Sequence, residues 1–266
     1  MRGELDQATL QKIAARLPDI RPLFRIVSWA PSVTSLTCML TGDVNSPLPL
    51  AGVCLNDTLS GAAEARYALH EALACLAWYR EKSPSKPNEP AAVFTSRFYA
   101  TAAASCLYAS GERLADALMA MFDTDPSKLP TSPVSRQAKV AQYLRAEKPG
   151  DPITAAVQSL GTSPDWMKSR QLRDRWVHAQ PPIVAGLGIQ YRRRPQWIKR
   201  IDGQGEPFNF LNFGGGDEPE YSIDEMVSFV GGALTAFVCV FELVVKTYEQ
   251  RLCPPTAQAD MEVAGS

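Results

Sequence analysis

The sequence predicts an all-α protein: an antiparallel helical bundle with an N-terminal extension and a small β-hairpin insertion. Three observations support this fold class. Apolar residues recur at helical spacing through residues 62–82 and 92–122. A third long segment, residues 222–252, is apolar over most of its length. Proline-rich stretches separate these segments, as is typical of loops between helices.

The composition is that of a soluble globular protein, with 45% hydrophobic and 21% charged residues. The length of 266 residues fits one large domain with extensions. A formal net charge of −1 gives no overall attraction to nucleic acid. Any binding of an anionic polymer therefore needs a local basic patch.

The cysteines and histidines bear on the cellular compartment of the protein and on whether it binds a metal. None of the six cysteines forms a C-x-x-C pair, and they are interpreted as reduced thiols of a cytoplasmic protein without a secretory signal. The two histidines belong to no ligand cluster with zinc-like spacing. We therefore expect no metal site and no cofactor. His70 is expected to have a structural role.

Residues 1–60 are interpreted as an N-terminal extension packed on the core, and residues 61–252 as the main helical domain. Residues 3–16 predict a short helix, which Pro18 and Pro22 interrupt. The pattern from residue 22 to residue 56 is mixed, and it leaves helix and strand open.

The middle of the chain predicts shorter helices. Residues 136–145 form one, and residues 151–160 form a brief one at most. A further helix begins after Ser163, because serine caps helices and Pro164 suits the first helical position. It ends just past His178, where two prolines follow.

Residues 189–216 are interpreted as an insertion that forms a hairpin. Residues 196–201 and 208–211 have the pattern of two strands around a glycine-containing turn. Basic residues alternate here with Tyr191 and Trp197, which is typical of surfaces that bind single-stranded nucleic acid. A solvated hairpin face is an equally open alternative. The basic residues are Arg192, Arg193, Arg194, Lys199 and Arg200.

The last helix, residues 222–252, begins with a capping box formed by Ser222 and Glu225. Its uncharged run is shorter than the roughly 20 residues that a membrane span needs. It therefore predicts a buried central or interface helix, with a membrane anchor as the lesser alternative. We expect no membrane association, and we expect residues 253–266 to be a disordered tail.

The chemistry of the chain is predicted to lie in the hexapeptide Arg173-Asp174-Arg175-Trp176-Val177-His178. Histidine exchanges a proton near neutral pH, and arginine binds phosphate oxygens. Residues five apart are about 140° apart around a helix, so only the length of Arg173 can bring it to His178. Asp174 precedes His178 by four positions and is predicted to orient its ring. A histidine that caps the helix C-terminus is the alternative.

The string RDRWVH, preceded by Trp166 and followed by a break and a long apolar helix, resembles the HEPN superfamily (higher eukaryotes and prokaryotes nucleotide-binding). Members often carry an arginine, about four to six residues beginning with a polar one, and a histidine. Arg173, Asp174 and His178 occupy these places. The resemblance covers roughly residues 61–252 and implies a bundle of four or five helices.

The resemblance implies a homodimer that brings two motifs into one cleft, and a metal-independent endoribonuclease that leaves a 2′,3′-cyclic phosphate. His178 would act as general acid or base, and Arg173 would stabilise the charge on the phosphorus. A defence or toxin role is implied, with RNA as substrate and an antitoxin or regulatory protein as a further partner. Toxin members often have a tyrosine two residues after the histidine; Gln180 stands here, which argues against control by tyrosine modification.

Two further expectations concern the surroundings of the motif. Arg170 and Arg175 are predicted to contact RNA, with ordinary ion pairing as the alternative. The second hypothesis for the whole chain is a non-catalytic helical interaction or nucleotide- or RNA-binding module in which the motif is incidental.

Overall fold

The structure, a computed structural model, describes residues 5–43, 45–82, 84–85, 89–132, 134–178, 181–187, 196–201, 204–212 and 219–252. Most of these residues are helical, so the predicted all-α character is confirmed. The predicted tail at residues 253–266 lies outside the described residues. The helices are α1 (Gln7–Ala15), α2 (Arg21–Thr41), α3 (Leu48–Lys82), α4 (Pro90–Met121), α5 (Arg136–Glu147), α6 (Pro152–Thr162), α7 (Pro164–His178) and α8 (Ile223–Leu252).

Helices α3 and α4 form a long antiparallel pair. Ser96 of α4 donates to the carbonyl of Ala72 on α3 at 3.1 Å, and Arg113 of α4 donates to the carbonyl of Asp57 on α3 at 3.1 Å. The two helices therefore run in opposite directions. Many of the buried residues on both helices are alanines, whose small side chains let the two helices approach closely. Helices α1, α2, α5, α7 and α8 pack on this pair, whereas α6 packs on α5, α7 and α8.

Helix α8 is the central helix of the core. It packs against α4, α7, α3, α6 and α2, and its large side chains Phe237, Phe241 and Tyr248 are fully buried. The Tyr248 hydroxyl donates to the carbonyl of Leu48 at 3.0 Å and shares a hydrogen bond of 2.9 Å with Thr34. By length and composition alone α2 and α8 are candidate membrane spans, but 56% of the apolar window of α8 is buried inside the protein.

Helix α3 is longer than the sequence pattern predicted. It begins at Leu48, so the boundary proposed between residues 60 and 61 falls inside a continuous helix. The sequence analysis left residues 22–56 unassigned, and Pro49 is among the residues that interrupt the pattern there. A proline in the first turn costs no helical hydrogen bond. Gly61 packs closely on α4, because a Cβ there would lie 2.4 Å from the Ser110 hydroxyl oxygen, which would have to move.

The unassigned region before α3 is helical as well. It forms α2, which packs on α3 and α8, and the first turns of α3. Apolar residues on several sides of α2 obscure its period, because three of them, Leu36, Met39 and Leu40, are exposed. The residues interpreted as an extension therefore contribute a packed helix and part of the central pair.

The ends of the later helices follow the sequence signals. Helix α7 begins at Pro164 and ends at His178, as predicted. The capping box of α8 is present: Glu225 N donates to Ser222 Oγ at 3.2 Å, and Ser222 N donates to Glu225 Oε2 at 2.7 Å. Both signals are local, since neighbouring residues alone determine them.

Two short strands, β1 (Gln196–Ile201) and β2 (Pro207–Asn212), lie between α7 and α8 in the chain. They pair antiparallel, with Gln196 opposite Asn212 and Ile201 opposite Pro207. Gly205 in the connecting turn has a φ of +87°, a conformation that glycine adopts without strain.

Candidate functional site

Helix α7 holds the motif at its last turn. The buried residues Trp166, Ser169 and Leu172 lie on the side of α7 that packs on the bundle. The Trp166 ring stacks on Phe237 of α8, with a centroid distance of 5.7 Å and an angle of 8° between the planes. These contacts fix the rotation of α7 about its own axis. As a result, Arg173 is partly buried and His178 is exposed.

Arg173 lies in the seam between α4 and α7. Its guanidinium carbon is 4.3 Å from the centroid of the Tyr108 ring on α4, a close cation–π contact. Its Nη1 donates to Asp174 Oδ1 at 2.9 Å. The Arg173 side chain is 23% exposed, so solvent reaches the guanidinium while the ring holds it in place.

The structure brings Arg173 and His178 together within one chain. Arg173 Nη1 lies 3.3 Å from His178 Nε2, so the length of the arginine closes the separation around the helix. A guanidinium has no lone pair to accept a hydrogen bond. For this contact to be a hydrogen bond, Nε2 must be the acceptor, which requires the imidazole tautomer that has its proton on Nδ1.

Asp174 does not orient His178 in the way the spacing suggested. In the described part of the chain its carboxylate pairs with Arg173, and no contact joins it to the imidazole. The physical reason is charge: the guanidinium of the adjacent Arg173 is a permanent cation and attracts the carboxylate. Asp174 instead helps to position Arg173.

Tyr108 is a site residue that the sequence analysis missed. Burial, and secondarily the nearby Glu112, raise the pKa of its phenol, so the ring is neutral at physiological pH. The Tyr108 ring packs against the guanidinium of Arg173. Tyr108 and Arg173 are distant in sequence, and no local pattern relates them.

Arg175 is held by an ion pair with Glu220, in which both guanidinium terminal nitrogens donate to the carboxylate. The hydrogen bond with Glu220 also raises the pKa of Arg175. Glu220 further accepts from the backbone N–H of Ile183 at 3.3 Å. Arg175 therefore connects α7 to the segment before α8, which agrees with the ion-pairing alternative.

The remaining basic residues are only partly described. Arg170 is exposed on α7, and Lys199 is exposed on β1. The backbone of Arg200 also belongs to β1. The predicted RNA-binding residues Arg192, Arg193 and Arg194, together with Gln180, lie outside the described residues.

A second arginine lies in the same seam. The guanidinium of Arg97 on α4 is 5.4 Å from the Trp176 ring on α7 and 5.8 Å from the Phe94 ring. Phe94 and Phe98 beside it are 59% and 56% exposed. The sequence signal was available, since Phe94, Arg97 and Phe98 have the i, i+3, i+4 spacing of one helix face.

Neither histidine belongs to a metal site in the described ranges, where no group of three or more His, Cys, Asp or Glu side chains could hold an ion. His70 is buried on α3, with Nδ1 3.6 Å from Glu71 Oε1. It has no place in the motif.

No protein-family model, no curated protein and no solved structure matches this chain. The geometry around Arg173 and His178 is therefore the basis on which a function can be argued.

Proposed function

We propose that the chain is a metal-independent endoribonuclease with a HEPN-type helical bundle, acting as a homodimer. The observation that carries this proposal is the contact between Arg173 and His178, 3.3 Å long, at the exposed end of α7. It supports the proposal because it puts a permanent cation beside a group that exchanges protons near neutral pH. These are the two functions that cleavage of an RNA phosphodiester needs from a protein.

The proposed reaction is transfer of the phosphoryl group to the neighbouring ribose hydroxyl. The 2′-OH loses its proton to a base, its oxygen attacks phosphorus, and the 5′-oxygen leaves with a proton from an acid. The products are a 2′,3′-cyclic phosphate and a 5′-hydroxyl. His178 serves as the base or the acid, and Arg173 stabilises the negative charge on the pentavalent phosphorus.

The dimer follows from the number of proton-transfer groups. One chain supplies one exposed imidazole, because His70 is buried. Two chains across a two-fold axis supply both an acid and a base. Asp174 and Tyr108 position Arg173 in each copy.

In this proposal β1 and β2 belong to an insertion that contributes to RNA binding, with Arg192, Arg193, Arg194, Lys199 and Arg200 as its basic residues. A cytoplasmic defence or toxin-type effector fits such an activity, and a restraining protein would then be its partner. Arg170 at the exposed face of α7 is a further phosphate contact.

The test is an incubation of purified protein with a structured and an unstructured RNA in EDTA. Wild type is expected to cleave, and His178→Ala and Arg173→Ala are each expected to lose at least about a hundredfold in rate. Arg145→Ala, which removes an exposed arginine from α5, is the matched control and should cleave like wild type. Circular dichroism would check that each variant remains helical.

Full cleavage by His178→Ala would refute the proposed role of the motif. Wild-type protein that binds RNA but leaves it intact would replace the proposal with a non-catalytic RNA-binding module.

A further inference from the structure

We infer that Arg97, Phe94 and Phe98 form an RNA subsite that holds an unpaired nucleotide beside the Arg173–His178 pair. The inference rests on the proposed function and extends it, because it names the form of RNA that is bound and the residues that select it. Three observations carry it: an arginine that has no acidic partner among the described residues, two exposed aromatic rings, and their position at one end of α7.

Arg97 is a half-buried cation in the seam between α4 and α7. Its contacts are the rings of Trp176 and Phe94, and within the described residues no hydrogen bond or ion pair accompanies them. Its Nε is buried without an acceptor there. Removing a guanidinium from water without a carboxylate costs free energy, which an anionic ligand offsets. Arg97 is therefore suited to a phosphate group.

Phe94 and Phe98 lie one turn apart on α4 and expose more than half of their surface. Val177 on α7 is 51% exposed as well. Aromatic side chains of this kind stack with bases regardless of sequence, because every base presents a π face. The combination of two such rings with a neighbouring guanidinium is the pattern of single-stranded nucleic acid binding.

The position of these residues relates them to the motif. Arg97 contacts Trp176, which is two residues before His178 on the same helix. The aromatic face therefore lies at the end of α7 where the proposed chemistry occurs. A nucleotide held there is a near neighbour of the scissile phosphate.

The subsite selects unpaired RNA for a geometric reason. In an A-form duplex both faces of each base are covered by its neighbours, so no face remains for Phe94 or Phe98. Single-stranded nucleotides can turn a base outward onto an aromatic ring. An unpaired segment also has the backbone freedom to align the 2′-OH with the leaving oxygen.

The test is equilibrium binding in the His178→Ala background, so that cleavage does not consume the probe. The probes are a fluorescently labelled single-stranded oligoribonucleotide of about 12 residues and the duplex of the same sequence, measured by anisotropy. The variants are Phe94→Ala/Phe98→Ala, Arg97→Ala and Arg97→Lys. The control is Phe24→Ala, which removes a ring that is 43% exposed on α2, a helix that packs on α3 and α8.

We expect tighter binding of the single strand than of the duplex. The double phenylalanine variant should weaken single-strand binding about tenfold or more, because stacking on two rings is lost. Arg97→Ala should weaken it about fivefold and reduce its salt dependence, because one phosphate contact is lost. Arg97→Lys should keep that salt dependence without restoring the full affinity, since lysine does not stack as a plane. Phe24→Ala should bind normally.

Single-strand affinity that is unchanged in both the phenylalanine and the Arg97 variants would overturn the inference. A loss of affinity that coincides with dissociation of a dimer, measured by light scattering, would also overturn it and assign this face to a second copy of the chain. The proposed function is tested separately. If wild type cleaves RNA and these variants have no effect on binding, only the subsite is refuted. If binding depends on these residues but wild type does not cleave RNA, only the ribonuclease activity is refuted.

Discussion

At Arg173 a single guanidinium meets three groups of different character: the Tyr108 ring, the Asp174 carboxylate and a nitrogen of His178. Together these contacts restrict the motion of the guanidinium. The Tyr108 ring lies against the guanidinium, and the Asp174 carboxylate and the His178 imidazole both contact its Nη1. Positioning of this kind reduces the conformational cost of binding a phosphate.

The Tyr108 ring is predicted to support the rate of RNA cleavage through Arg173. Tyr108→Ala should lower that rate by up to about tenfold, because a cation–π contact of about 1 kcal/mol that holds the guanidinium is removed. Tyr108→Phe keeps the ring and should cleave like wild type. The measurement is single-turnover cleavage of a labelled RNA, with thermal melting of each variant as the folding check. Equal losses in both variants would instead assign the effect to the hydroxyl.

The residue identities of the site were only partly accessible from the sequence. Arg173 and His178 are five residues apart on one helix, so the sequence alone showed their residue types and their spacing. Asp174 was seen but given the wrong partner, because helical spacing does not include the competition from the adjacent guanidinium. Tyr108 and Arg97 belong to another helix, and only packing brings them to α7.

Among the elements, α8 shows how two adjacent glycines can have different functions. Gly232 faces Asp165 at the start of α7, and a Cβ on it would lie 1.9 Å from a carboxylate oxygen and 3.2 Å from the Asp165 Cβ. Gly231 faces Leu69 of α3, and a Cβ there would lie at 3.5 Å, an ordinary contact distance. The close approach of α7 to α8 therefore depends on one of the two glycines.

Alanine at these two positions is predicted to have opposite effects on the free energy of unfolding, measured by urea denaturation. Gly231→Ala should increase it by about 0.5–1 kcal/mol, because alanine loses less backbone entropy in a helix. Gly232→Ala should decrease it by about 1–3 kcal/mol, because Asp165 must move. Asp165→Ala in the Gly232→Ala background should recover most of that loss. Equal effects of the two alanines would show that the contact with Asp165 does not constrain α7.

Elements whose ends are set by neighbouring residues were predicted well, and those set by distant packing were not. Pro164 and the prolines after His178 define α7, and Ser222 with Glu225 defines the start of α8. The start of α3 was missed because prolines and glycines give residues 22–56 a mixed pattern, although Pro49 lies in the first turn of α3, where it costs no helical hydrogen bond.

For the whole molecule, a net charge of −1 means that attraction to RNA must come from local groups. The α4–α7 seam supplies such a group of charges, with Arg97, Arg170 and Arg173 on or beside it. The buried α8 lies behind α7 and α4, so it serves the core and leaves the face with the motif open. A dimer that brings two of these faces together would concentrate positive charge in one cleft.

The proposed dimer predicts that one wild-type chain cannot function beside an inactive one. A heterodimer of wild type and His178→Ala, purified through two different tags, should cleave RNA at least about a hundredfold more slowly than wild type, because one imidazole cannot be acid and base in the same step. The control is a heterodimer of wild type and Phe24→Ala, which should keep full activity. About half of the wild-type rate in the first heterodimer would instead indicate two independent sites.

The contact between Arg173 and His178 also links two events in time. It exists only while His178 Nε2 has a free lone pair, since a proton there leaves two donors facing each other. In the proposed reaction, a ring that takes the proton of a ribose hydroxyl at Nε2 would release the guanidinium in the same step in which negative charge accumulates on the phosphate oxygens. Protonation of His178 would therefore free Arg173 to bind the phosphate at the point in the reaction where the negative charge appears.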